Sequence, residues 1–287
     1  VKALKGVTFD VEEGEIFGLI GPDGAGKTSL FRILTTLLLA DSGKAVVDGM
    51  DVVNDYKKIR RHIGYMPGRF SLYQDLTVEE NLSFFATVFN TTIEENYHLV
   101  EDIYRQIEPF KKRKAGKLSG GMKQKLALSC ALIHAPHVLF LDEPTTGVDP
   151  VSRKEFWEML QKLKKNFKLS IVVSTPYMDE ALQCDRIALI QDGQFLTIDT
   201  PENIIRAYTQ TLWSLRSDKM HRLLTDLRSI DGVKTAFAFG ENHHATIDTS
   251  VLTVDSLRNR LVGLGHRNIV IEVVEPTIED CFMNLQK

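Results

Sequence analysis

The stretch that most constrains the fold is EIFGLIGPDGAGKTSL, residues 15–30. Residues 16–20 are apolar or Gly without alternation, which predicts a strand covered on both faces. Three glycines then break the pattern, and a helix is predicted to begin near Lys27. Buried strand, glycine loop and helix in that order point to an α/β fold.

The loop carries Gly, four residues, then Gly-Lys-Thr, the phosphate-loop pattern in the context that gives it meaning. Gly21, Gly24 and Gly26 let backbone amides close around phosphate oxygens, and the helix aims its positive end at the same anion. The candidate binding residues are Gly21, Pro22, Asp23, Gly24, Ala25, Gly26, Lys27, Thr28 and Ser29. Lys27 is expected at the terminal phosphates and Thr28 on Mg²⁺. A second strand ends in function at VLFLDEP, residues 138–144: Asp142 is the second expected metal ligand, and Glu143 the candidate catalytic group, polarising an attacking water.

Between them, LSGGMKQKLALSCALIHAP (residues 118–136) predicts a helix capped by Ser119, with bare amides at Gly120 and Gly121, and stopped by Pro136. One nucleotide does not require two anion-binding helix ends in one chain, unless each serves a different nucleotide.

With the phosphate loop, LSGG and LDEP in this order and spacing, the chain strongly resembles the ATP-binding cassette (ABC) proteins over residues 1 to about 205. The resemblance implies a P-loop NTPase cassette, with a RecA-like core and antiparallel β and α-helical subdomains. It also implies head-to-tail pairing with a second cassette, of the same or another chain. ATP and Mg²⁺ would be sandwiched between one phosphate loop and the partner's Ser119, Gly120 and Gly121 segment, with Asp149 of TTGVDP crossing the interface. LSGGM stands where LSGGQ is commoner. GPDGAGKT, YMPGRFSLYQDLTVEENL and STPYMDEA are most similar to export-type cassettes serving small multidrug or antibiotic exporters, which implies a separate transmembrane permease and a cytoplasmic, membrane-peripheral location. The groove around residues 70–75 would receive a permease helix, with Phe70, Leu72 and Tyr73 as its apolar anchors or as local core.

Two positions depart from the family pattern. Pro176 stands where a histidine normally bonds the terminal phosphate, and Gly68 where a glutamine reaches Mg²⁺ and the attacking water. Ser174, Thr175 and Tyr177 are the neighbours that a backbone shift could bring in. Losing one preorganised donor costs on the order of 10²–10³ in rate, so the chain's own site is expected to be weakened. A regulatory or structural cassette with little hydrolysis, half of an asymmetric pair, is the alternative. A soluble cassette of DNA repair or translation would typically carry coiled-coil insertions or a charged linker between twin cassettes, and neither is present in this sequence. The family's adenine-stacking aromatic would precede Val1, and Val1 in place of a start Met suggests a longer polypeptide.

The cassette is expected to occupy residues 1–208, with its helical subdomain at about 70–137. Residues 7–11 (VTFDV) alternate as a half-buried strand, and Thr77 with Glu80 predicts a capping box. Residues 209–287 read strand, helix, strand, strand, helix, strand, helix: a small ferredoxin-like α+β domain. EPTIEDCFMNL resembles the closing segment of the accessory domain of exporter cassettes, with dimer support or ligand sensing as its role. His243 and His244 are expected in an exposed loop, and KKRK (residues 111–114) on a solvated surface.

Composition sets the remaining bounds. The chain has 287 residues, 43% hydrophobic, enough for one large or two smaller cores. A net charge of −3 gives no overall pull toward nucleic acid. Cys130, Cys184 and Cys281 lack metal-ligand spacing and read as packing residues of a reducing compartment. The longest apolar or small run, LALSCALI, is far short of the ~20 residues of a membrane span.

Overall fold

The structure, a computed structural model, describes residues 2–286 and divides into two units, one ending at Pro201 and the other beginning at Glu202. The sequence pattern predicts the boundary slightly later, after Tyr208.

In the first unit, β1 (Ile16–Ile20) is buried along its whole length. It turns through the glycine loop into α1 (Lys27–Leu34), whose N-cap Gly26 has φ 106. A Cβ at Gly26 would lie 2.6 Å from the Ala3 carbonyl oxygen, so backbone conformation and space both require glycine. β2 (Val46–Val47) and β3 (Met50–Asp51) form a hairpin through Asp48 and Gly49, both at positive φ. This antiparallel pair stands apart from the main sheet, and residues 7–11 do not join a ladder. Val7, Phe9 and Val11 are half-buried and alternate with exposed Thr8 and Asp10, as the pattern requires. Phe9 stacks on Phe17 and meets Phe195 edge-on. Alternation marks a face that needs cover, but a ladder also needs a partner's open edge.

α2 (Tyr56–His62) leads into β4 (Ile63–Met66). Then come α3 (Val78–Val88), α4 (Ile93–Tyr104) and α5 (Gly120–Leu132), the helical part of the unit. Thr77 and Glu80 close the expected capping box on α3, and Thr92 and Glu95 make a second on α4. Ser119 caps α5 by accepting from the Met122 amide at 3.3 Å. β5 (Val138–Asp142), α6 (Pro150–Phe167), β6 (Ser170–Thr175), β7 (Arg186–Gln191) and β8 (Gln194–Asp199) complete the unit.

The six strands lie in the order β4-β5-β6-β1-β7-β8, parallel except for β8. β6 therefore runs between β5 and β1, with Ser174 level with Asp142 and Thr175 level with Ile20. The loops that leave β1, β4, β5 and β6 share the carboxyl edge of the sheet, where open α/β folds bind ligands. Phe17, Phe31, Phe140 and Val172 form the core beneath α1, with Phe31 and Phe140 edge-to-face at 5.6 Å, an arrangement that adds about 1 kcal/mol to their burial.

α7 (Pro201–Arg206) runs across the boundary. The second unit then follows β9 (Thr211–Arg216), α8 (Met220–Ser229), β10 (Val233–Phe239), β11 (Asn242–Ile247), α9 (Val254–Gly263), β12 (Val270–Val273) and α10 (Ile278–Leu285). Its antiparallel sheet has the order β10-β11-β9-β12 and packs α8 and α9 around Trp213, Leu223, Leu227 and Leu257. His243 and His244 are not in an exposed loop. Both are buried in β11, where His243 Nε2 meets the Met220 carbonyl at 2.7 Å and His244 Nδ1 meets Asp280 Oδ1 at 2.7 Å. The acid was missed because it arrives from α10, 36 residues away.

Candidate functional site

The glycine loop, the start of α1 and the Glu143 turn that follows β5 border one cleft of roughly 450 Å³, lined by Lys5, Gly24, Lys27, Thr28, Glu143 and Asp192 among others. Lys27 is 3% exposed, and its ammonium donates to the carbonyls of Gly21 at 2.8 Å and Pro22 at 3.0 Å, with Glu143 Oε1 at 3.2 Å. These three acceptors match the three N–H donors of a lysine, so its charge is held inside the loop. The Gly193 amide donates to the Ala25 carbonyl and braces the loop from behind.

Asp142 is buried at the end of β5. Thr28 Oγ1 donates to its Oδ1 at 3.3 Å and Ser174 Oγ to the same oxygen at 2.6 Å. Two oxygen ligands of the kind a hard cation takes, Thr28 and Asp142, thus already touch. Burial first, then the Asp142 charge, pushes the Tyr65 phenol up to about 12. Glu143 has φ 50, and its amide donates to both Ser174 O at 3.0 Å and Ser174 Oγ at 3.1 Å. That turn directs its carboxylate to Lys27 and leaves it partly exposed in the cleft.

Both departures border this geometry. Pro176 follows the last residue of β6, the strand between those carrying the loop and Asp142. A Cβ at Gly68 would lie 3.0 Å from the Asp142 carbonyl oxygen and 3.7 Å from Glu143 Cβ. Neither residue has a side-chain donor, and Thr175 Oγ1 accepts from the Tyr177 amide at 3.1 Å, closing the turn around Pro176. Ser119, Gly120 and Gly121 do not line the cleft. Gly120 and Gly121 adjoin the TTGVDP loop and the first turn of α6 instead: a Cβ at Gly120 would lie 3.5 Å from Gly147 O, and one at Gly121 2.7 Å from Ser152 Oγ. Asp149 caps α6 through the Ser152 amide at 3.0 Å.

A profile of the family described as ABC transporter matches residues 4–146. The daunorubicin resistance ATP-binding protein DrrA2 of Streptomyces coeruleorubidus is 32% identical over 99% of this chain and 90% of its own length. The chain belongs to the ABC transporter ATP-binding family. This chain is also 44% identical to the probable multidrug ABC transporter ATP-binding protein YbhF of Escherichia coli over 203 residues, 69% of its length, and covers only 34% of that relative. Among solved structures, the cassette resembles cbiO1 of Clostridium perfringens, part of the complex cbiONQ, at 27% identity and TM-score 0.63 over 71% of this chain and 87% of that one. It resembles equally the dimeric post-hydrolysis cassette MJ0796 bound to ADP and Pi, at 27% identity and TM-score 0.62 over 69% of this chain and 90% of that one. It is thus an ATPase-family cassette, related to exporter ATP-binding subunits, and no helix among its described residues is long and apolar enough to cross a membrane.

Sequence reading missed the part played by Ser174, which ties Asp142 and the Glu143 turn together. A hydroxyl at the end of a buried strand is the only signal for it. The cassette also carries a half-open apolar cavity of roughly 260 Å³ lined by Tyr65, Phe70, Leu72, Phe85, Phe89 and His134 among others. Leu72 is buried, whereas Tyr73 is half exposed and packs edge-on against Phe84, so the three suspected anchors divide between core and surface.

Proposed function

We propose that this cassette binds Mg-ATP in a head-to-tail pair with a second cassette and drives a separate membrane permease of the exporter kind, its own site being weak in hydrolysis. In this reading Gly21 to Ser29 cradle the phosphates, Lys27 turns from the loop carbonyls to the terminal phosphates, and Thr28 and Asp142 hold Mg²⁺. The ion, when bound, would neutralise charge on the phosphate oxygens. Glu143 orients water, while Ser174 keeps Asp142 and the Glu143 turn in register. Ser119, Gly120, Gly121 and Asp149 serve the partner's nucleotide. The carrying observation is that the phosphate-binding parts converge on one cleft without residues 119–121, so the second glycine-lined helix end has no nucleotide within its own chain.

Gly68 and Pro176 favour a division of labour: this chain's site holds ATP, and its LSGG segment completes a competent site on a different cassette. The apolar cavity beside Phe70 and Phe85 is the proposed seat of a permease helix, which puts the chain at the cytoplasmic face of the membrane. A second reading, a regulatory cassette with little hydrolysis anywhere in the pair, rests on the same two positions. ATPase assays of this chain, its mate and their mixture separate the readings. The division of labour predicts activity in the mixture that survives Glu143→Gln in this chain and is lost on Ser119→Arg. Brisk turnover by the chain alone, abolished by Glu143→Gln, would overturn the weak-site assignment.

A further inference from the structure

Asp48, His62 and His137 meet at the end of the first unit's sheet opposite to Asp142. The parallel register pairs Ile63 with Val138, so the residues just before β4 and β5 come side by side. The His137 amide donates to the His62 carbonyl at 2.8 Å, and the two imidazole centroids are 4.9 Å apart. Asp48 reaches them from the tip of the β2–β3 hairpin, where its φ of 51 turns the chain. Its Oδ2 lies 3.1 Å from His62 Nδ1 and 3.0 Å from His137 Nδ1. All three ligand atoms fall within 4.8 Å of one another.

Tetrahedral zinc with bonds of about 2.0–2.1 Å has neighbouring ligand atoms about 3.3 Å apart. Two edges of the triangle, at 3.1 and 3.0 Å, are already close to that length, and the third is within 4.8 Å. The cluster is not forced by burial. The side chains are 31%, 43% and 62% exposed for Asp48, His62 and His137, so water could satisfy each of them separately. Two imidazoles and one carboxylate suit a borderline first-row ion, whereas the oxygen pair of Thr28 and Asp142 suits a hard one. Five residues of extended chain separate His137 from Asp142, about 16 Å, so the two sites do not share an ion.

We propose that Asp48, His62 and His137 bind a divalent first-row transition metal ion of the zinc class, with the fourth position open to water. The ion fastens a hairpin with a ladder of only two residue pairs to the entry of β4 and β5.

The test is calorimetric titration of the metal-stripped chain with Zn²⁺, with Co²⁺ as a spectroscopic stand-in. One saturable Zn²⁺ equivalent is expected, weakened at least about tenfold by Asp48→Asn and by His137→Gln, with unchanged far-ultraviolet circular dichroism. No saturable binding, or binding of unchanged affinity in the double variant His62→Gln/His137→Gln, overturns the proposal. If a variant fails to fold, the unaltered chain decides. Visible Co²⁺ bands without thiolate charge transfer support the His-His-Asp site, and a thiolate band, which only the three cysteines could give, sinks it.

Discussion

Pro176 has no amide hydrogen and no side-chain donor, and it follows a strand whose last two hydroxyls are already engaged: Ser174 with Asp142, Thr175 with the Tyr177 amide. A replacement for the missing donor is therefore not at hand in the turn itself. Pro176→His is expected to raise turnover at this chain's own site at least about tenfold, because a preorganised donor to developing charge is worth that and more. Gly68→Gln should act more weakly by itself, since its Cβ would approach the Asp142 carbonyl to 3.0 Å and the strand end must yield. The check is steady-state ATPase of single and double variants at saturating Mg-ATP. An unchanged rate in the double variant, with nucleotide still bound, would show that neither position limits turnover. The types and spacing of Lys27, Thr28, Asp142 and Glu143 were legible in the chain, because each ends or follows a recognisable strand. The Ser174 contact was not, because it depends on β6 lying beside β5 in a particular register, and sequence does not order strands.

At the scale of elements, capping was readable and side-chain pairing across a sheet was not. Thr77 with Glu80 announces α3 within four residues, whereas residues 7–11 show the alternation of a strand and form none. His243 and His244 read as polar loop because a period-two pattern cannot say that a carboxylate will cover the polar face. That carboxylate, Asp280, also closes the capping box of α10, accepting from the Thr277 amide at 2.9 Å and its hydroxyl at 2.7 Å. Burial raises the Asp280 pKa, but the His244 hydrogen bond and the two from Thr277 outweigh it, and the group sits below its ordinary 3.8. A depressed folded value means that the stabilisation is fully present above the ordinary pKa and is lost as pH falls through the folded one. Asp280→Asn should therefore cost about 2 kcal/mol at neutral pH and progressively less below pH 3.8. Trp157 lies in the first unit and Trp213 in the second, so a Trp157→Phe background leaves Trp213 fluorescence to report this unit during denaturant titration. An equal penalty at both extremes of pH would remove the carboxylate's charge from the explanation.

For the molecule as a whole, the decisive property is that the residues proposed to serve nucleotide are divided between two places. Lys27, Thr28 and Glu143 border one cleft, with Asp142 behind it on Thr28, while Gly120 and Gly121 adjoin Gly147 and Ser152, outside its lining. Neither set alone encloses a triphosphate, and water at the open side of the cleft would weaken every electrostatic contact made there. In the proposed pair, a second chain would supply the missing amides and exclude that water, so pairing and tight ATP binding should be two aspects of one equilibrium. Glu143→Gln strengthens both. It would remove the group proposed to orient water and also a negative charge 3.2 Å from Lys27 that would compete with phosphate for the same ammonium. Light scattering of this variant with excess Mg-ATP is expected to show a doubling of mass, alone or with its mate, and reversal by Ser119→Arg, which blocks the glycine-lined helix end without touching the phosphate loop. A particle that stays monomeric with every candidate mate, while calorimetry shows it saturated with nucleotide, would mean that one chain closes its own site, and the role given to residues 119–121 would fall with it.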